Sequence, residues 1–134
     1  MASLENRLAV WAYRLRRGGG SAGSLLLLTT HGRVTGNAHT VPLRYLREGN
    51  DFVVVGSNLG NDRMPSWQRN LEARPDAEIR AGAQRIAVRA ETLAGDERQR
   101  AWERFATASP GYAAMQAKTT RTFPVARLVP LPDR

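Results

Sequence analysis

The stretch TTHGRVTGNAHTVPL, residues 29–43, decides how the chain is read. It is entered from SLLLLTT (24–30), a short apolar run bounded by glycine, which predicts a buried strand. It leaves into HTVPLRYLRE (39–48), a second extended run, whose Pro42 argues for a sheet edge, a bulge or a strand start. A glycine turn that opened a helix would suggest a dinucleotide fold with G-x-G-x-x-G. Here GRVTG opens a strand, so a hairpin-built sheet is expected.

The residues on either side extend that pattern. EGND (48–51) is a turn, and FVVVGS (52–57) is a β-branched strand, giving an antiparallel hairpin. NLGNDR (58–63) is a loop. MPSWQRNLEARP (64–75) reads as a short helix with Pro65 in its first turn, Trp67, Asn70 and Leu71 on one face, and Pro75 as its stop. AEIRA (77–81) and QRIAVRAETL (84–93) alternate apolar and polar residues around Gly-Ala, a second hairpin. GDERQRAWERFATA (95–108) is a helix with acids in its first turn and Trp102, Phe105 and Ala106 as its core stripe. YAAMQAK (112–118) adds a turn or two, and FPVARLVP (123–130) is a last strand. At the N-terminus, SLENRLAVWAYRLRR (3–17) places Leu4, Leu8, Trp11 and Leu15 on one helical face. It reads either as a helix docked on the domain or as a basic helix resting on an anionic membrane surface. GGGSAG (18–23) is a flexible joint. The expected organisation is therefore residues 1–23 as helix and joint, then one domain over 24–134. That domain is α+β and mainly β: a small barrel of about six mostly antiparallel strands with peripheral helices.

Composition removes several chemistries. The chain has 134 residues, long enough for a core without crosslinks, and no cysteine. Thiol catalysis, iron–sulfur clusters and cysteine-ligated zinc are thus excluded. The net charge is +8, and Lys118 is the only lysine among 20 basic residues. A surface this rich in arginine predicts an anionic partner. Aromatics make up only 7% and do not interleave with the arginines, so single-stranded nucleic acid is not the expected partner. No segment approaches the roughly 20 apolar residues of a membrane span, and no signal-peptide core stands at the N-terminus. A cytoplasmic protein is expected, peripheral to the membrane if the first helix touches it.

His31 and His39, the only histidines, form no metal-binding spacing. No nucleophile elbow and no carboxylate pair for acid–base work is present. Phosphate binding fits better. Arg33 lies between Gly32 and Gly36; Thr35, Thr40 and Ser57 supply hydroxyls, and Arg44, Arg63 and Arg69 add cations. On residue chemistry alone the same loop is equally a hairpin turn with a solvated arginine. Trp67 is either core or the wall of a flat aromatic ligand, with Asn70 supplying a hydrogen bond. Tyr112 lines that pocket or fills a gap.

Taken in order, LLLLTTHGRVTG, TVPLRYLREGNDFVVVGSN, MPSWQRNLEARPDAEI, VRAETLAGDERQRAWERF, SPGYAAM and TRTFPVARLVP resemble the deazaflavin-dependent nitroreductase family, from about Leu25 to Pro130. These are small flavin/deazaflavin oxidoreductases with a split β-barrel. The resemblance implies coenzyme F420, a deazaflavin carrying a phosphodiester and an acidic polyglutamate tail. It implies hydride transfer to nitro compounds, quinones or similar small-molecule acceptors. Carried over residue by residue, it assigns cofactor binding to Arg33, Val34 and Thr35, then to His39, Thr40, Val41, Pro42, Leu43, Arg44 and Tyr45. It continues with Gly56, Ser57 and Asn58 at a strand end, with Ser66, Trp67, Gln68 and Asn70 at the short helix, and with Tyr112. Substrate is implied at Tyr112 and Met115, and a proton donor at Tyr112 or Ser57. The chain departs from the family pattern where relatives often carry a base at Val34, an arginine at His39, a lysine at Asn58 and a tyrosine at Met115. Such departures leave FMN as the alternative cofactor, and a basic non-enzymatic binding module as the more distant reading. Analogy with split-barrel relatives also admits a homodimer.

Overall fold

The structure is a computed structural model that describes residues 25–132. One sheet organises all of them. Its strands are β1 (Leu25–His31), β2 (Ala38–Arg44), β3 (Leu46–Glu48), β4 (Asp51–Val55), β5 (Asp76–Ala81), β6 (Gln84–Thr92) and β7 (Val125–Pro130). They lie in the order β2-β1-β5-β6-β7-β4-β3, and every pair is antiparallel. The helices are α1 (Ser66–Ala73), α2 (Gly95–Ala108) and α3 (Gly111–Gln116). The predicted helix over 3–17 and the joint over 18–23 fall outside the described residues.

Seven strands stand where about six are expected, because the run 39–48 is not one strand. It pairs with β1 up to Arg44, and with β4 from Leu46 onward. Tyr45 is the corner, its ring edge-on to Phe52 at 5.3 Å between centroids. The chain thus forms both edges of one sheet in succession. That requires the sheet to curl until its edges approach, and β2 and β4 do touch across the gap. Pro42 sits on the edge strand β2, opposite Leu27, where its missing N–H costs no ladder bond.

The strand alternation accounts for two cores. Phe52 and Val54 of β4 face the concave side, with Leu26, Leu28, Ile79, Val88 and Leu128, and α1 closes that side with Trp67 and Leu71. Val53 and Val55 face the other side, where α2 covers them with Ala101 and Phe105 alongside Phe123. β4 is therefore buried on both faces and reads as a continuous apolar run. Of the predicted α2 stripe Phe105 is buried, joined by Ala101, while Trp102 and Ala106 are partly exposed. Trp102 instead packs edge-on against Phe123. α1 is shorter than 64–75 at both ends. Pro65 precedes it as the extended cap residue, and Pro75 stops it after Arg74. β7 starts at Val125, not 123, because the Phe123 N–H is taken by the Gln116 side chain and Pro124 has none to give.

Arg127 holds the far end of the curl together. Its guanidinium, only 17% exposed, reaches Glu48 at 3.2 Å and Glu97 at 3.3 Å, and Arg104 pairs with Glu48 as well. This network ties β3, β7 and α2 together, and no short-range sequence pattern signals it.

Candidate functional site

The loop after β1 is built around two glycines. Gly36 has φ +77°, the left-handed region that favours glycine. Gly32 is buried, and a Cβ there would lie 3.1 Å from Thr35 Oγ1 and 3.2 Å from His39 Nε2. Gly32 N–H donates to Asn37 O and Gly36 N–H donates to Gly32 O, both at 2.8 Å. Asn37 N–H donates to Thr35 Oγ1 at 3.2 Å. Arg33 N–H donates to Asn70 Oδ1 at 3.2 Å, so those bonds leave the N–H groups of Val34 and Thr35 for a ligand.

Asn70 is the post of this loop. Its side chain is 3% exposed. Asn70 Nδ2 donates to Thr30 Oγ1 at 3.1 Å, and Oδ1 also accepts from Arg33 Nη1 at 3.0 Å. Asn70 therefore holds Arg33 while itself lining the cleft. Arg74, at the end of α1, brings a second guanidinium to within 3.9 Å of the position a Gly36 Cβ would take.

Two clefts meet over α1. The first, about 460 Å³, runs beneath the loop and is lined by Arg33, Val34, Thr35, His39 and Asn70 among others. The second, about 630 Å³, is lined by Pro42, Leu43, Arg44, Ser57, Asn58, Arg63 and Tyr112 among others. Val41, Ser66 and Trp67 border both. Trp67 is thus core and wall at once: 8% exposed, packed in the concave core, and facing the junction.

Tyr112 reaches the second cleft from a part of the chain distant from Ser57 and Asn58. Asn58 and Leu59 both take positive φ, +44° and +57°, in a short 3-10 turn at the cleft rim. Such non-glycine conformations cost about 1–3 kcal/mol each and persist only where surroundings over-determine them. Leu59 is 80% exposed at that rim. Tyr112 packs edge-on to Phe105 at 4.8 Å. Burial raises the Tyr112 phenol above its ordinary value, and the nearby Arg44 charge opposes that shift.

Five of the sequence-predicted residues do not line these clefts. Thr40 turns to the other face of β2 and hydrogen-bonds Thr29 at 2.7 Å. Tyr45 packs on the core. Gly56 is buried, its N–H bonded to Pro124 O at 2.9 Å. Gln68 is 1% exposed, on the inner side of α1. Met115 packs with the core beneath α2. Of the extra cations, Arg44 and Arg63 line the second cleft and Arg69 lines neither. Sequence reasoning missed Thr30, Arg74 and Arg121. A strand threonine and an arginine at a helix end carry no local signal. Arg121 is far in sequence from the turn it holds. Among the described residues no group of three or more potential metal ligands occurs, and no helix is long and apolar enough to cross a membrane.

Comparison with known proteins follows the same outline. The family model for F420H(2)-dependent quinone reductase matches residues 5–130. A Mycobacterium tuberculosis protein, Rv3178, carries the name of such a quinone reductase. It is 39% identical over 105 residues, covering 78% of this chain and 88% of its own. The solved structure of an F420-H2 dependent reductase, FDR-A, superposes with TM-score 0.72 at 33% identity, covering 78% of this chain and 92% of that one. A structure described as a domain-swapped dimer gives TM-score 0.73 at 28% identity, covering 94% of this chain and 99% of the other.

Proposed function

The chain belongs to the F420H(2)-dependent quinone reductase family, and from that premise we propose how its clefts divide the work of an F420H2-dependent reductase acting on quinone-type acceptors. Reduced F420, when bound, supplies the hydride. The loop of residues 32–36 holds the anionic end of the coenzyme, with Arg33 as its main cation and Arg74 beside it. Val41, Ser66 and Trp67 form the shared middle, and Ser57, Asn58 and Tyr112 border the reacting end. The observation that carries this reading is the joining of an anion-suited cleft to a second cleft across the Trp67 wall.

The residues present suit such a ligand. Uncommitted N–H groups and an aimed guanidinium match an anion. An aromatic wall with pre-set polar groups matches a flat ring system. Tyr112, held neutral by its burial, keeps its hydroxyl proton available for donation at the cleft edge. The outward-standing Val34 and the exposed His39 make Arg33 and Arg74 carry more of the anion binding.

The test is tryptophan fluorescence quenching on titration with F420, in parallel with FMN in the same buffer, followed by turnover with a soluble quinone. F420 binding at micromolar concentrations with quinone-dependent oxidation is expected. Tighter binding of FMN, or a yellow purified protein with a flavin spectrum, would overturn the cofactor assignment. The similarity to a domain-swapped dimer supports a homodimer; light scattering on the full chain, with a mass of one protomer, would refute it.

A further inference from the structure

Arg121 makes an unusual set of bonds. Its guanidinium donates to three backbone carbonyls of one turn: Nη1 to Gly56 O at 2.9 Å, Nη2 to Ser57 O at 2.8 Å, and Nε and Nη2 to Asn61 O at 3.1 and 3.0 Å. Its Cζ lies 4.9 Å from the Phe123 ring centroid. Among the described residues it forms no ion pair. The plane of the fork, fixed on Phe123, therefore brackets the left-handed pair Asn58 and Leu59 from both sides in sequence. The same residue is tied to α3, because Gln116 Nε2 donates to Arg121 O at 2.6 Å and Gln116 Oε1 accepts from Phe123 N–H at 3.0 Å. Gly60 meets α3 so closely that a Cβ there would lie 3.0 Å from Met115 O. Thr119 Oγ1 donates to Asp62 Oδ1 at 2.6 Å, closing the bracket.

We infer that Arg121 is a positioning residue of the reductase: its guanidinium locks the strained turn of residues 57–60 to α3, so that Ser57 and Asn58 stand at a fixed distance from Tyr112. The inference rests on the reading that the second cleft holds the reacting end. The Arg121 guanidinium spans three carbonyls of a turn some 60 residues away, and that turn lines the second cleft together with Tyr112 of α3. Lysine offers a point charge and cannot reproduce the planar fork.

The test uses the full chain with Arg121→Met, Arg121→Lys and Arg121→Gly. Four quantities are read: F420 affinity by tryptophan quenching, kcat with a quinone, amide exchange, and rescue by added methylguanidinium. Coenzyme affinity is expected to stay within about threefold, because Arg33 and its loop lie at the other cleft, while kcat falls about tenfold or more. Exchange is expected to quicken at residues 58–61 and not throughout the sheet. Methylguanidinium should restore part of the lost kcat in Arg121→Gly. Unchanged kcat in folded variants would overturn the inference. So would exchange that quickens over the whole sheet, or affinity and kcat falling together without rescue. If Arg121→Met does not fold, Arg121→Lys carries the same comparison. If the natural chain fails to bind F420, the functional reading falls, and the exchange pattern alone still decides whether Arg121 locks the turn.

Discussion

On the proposed reading, single side chains at the two clefts have separable jobs. Arg33 is held by Asn70 at the first cleft, so on that reading Arg33→Ala is expected to weaken F420 binding by about 10–100-fold, the worth of a charged hydrogen bond of roughly 1.5–3 kcal/mol. Isothermal titration checks it, and kcat at saturating coenzyme should change little. Asn70→Leu removes the acceptor from Arg33 and the donor from Thr30 Oγ1 in a buried place. It should lower stability by about 1–3 kcal/mol in urea unfolding and also loosen the coenzyme. Tyr112 offers a pH readout. Its folded phenol titrates above the unfolded value because burial disfavours the phenolate. The stabilising effect is full below the unfolded phenol's value near 10 and is lost as pH rises through the higher folded one. Thermal melts of the natural chain should therefore fall more steeply than those of Tyr112→Phe above about pH 10. Arg44→Met removes the opposing charge and should push the phenol's ultraviolet titration higher still.

Among the elements, α1 and the loop after β1 form one unit. The buried side of α1 gives Trp67 and Leu71 to the concave core and Asn70 to the loop. Leu71→Ala is expected to destabilise the fold by about 2–5 kcal/mol through the cavity it leaves. It should also weaken coenzyme binding, because the post of the loop rides on the same helix; chemical denaturation and titration on one sample would reveal whether the two losses move together. The loop was only half legible in the sequence. Gly32, Arg33 and Gly36 mark a turn that suits an anion as well as a plain hairpin, and the bond that holds Arg33 comes from Asn70, 37 residues away. The Asn70 side chain lines the first cleft, as its helical face predicts, and also bonds Arg33 in the loop and Thr30 on β1, partners that the helical face does not reveal. Gln68, which the family resemblance assigns to the coenzyme, is turned inward by the 100° step per helical residue and is buried with its amide atoms unpartnered.

At the level of the whole molecule, excess positive charge and a curled sheet set the conditions for function. With net charge +8, coenzyme association should slow and weaken as salt rises from about 0.05 to 0.5 M, as Debye screening shortens; stopped-flow rates over that range check it. The sequence by itself determined the elements and the family. Alternating or continuous apolar runs specify strands, the two hairpin turns specify antiparallel pairing, and the order of motifs from Leu25 to Pro130 identified a deazaflavin reductase. These signals are local, so periodicity and turn chemistry carry them. Only the tertiary structure decided which residues meet. It broke residues 39–48 at Tyr45 and spread them over both sheet edges, brought Tyr112 to Ser57, and set Arg121 under a turn far back in the chain. The reason is that curling a seven-stranded sheet until its edges meet is a property of the whole strand order, and no local window of residues encodes which distant backbone a guanidinium will find there.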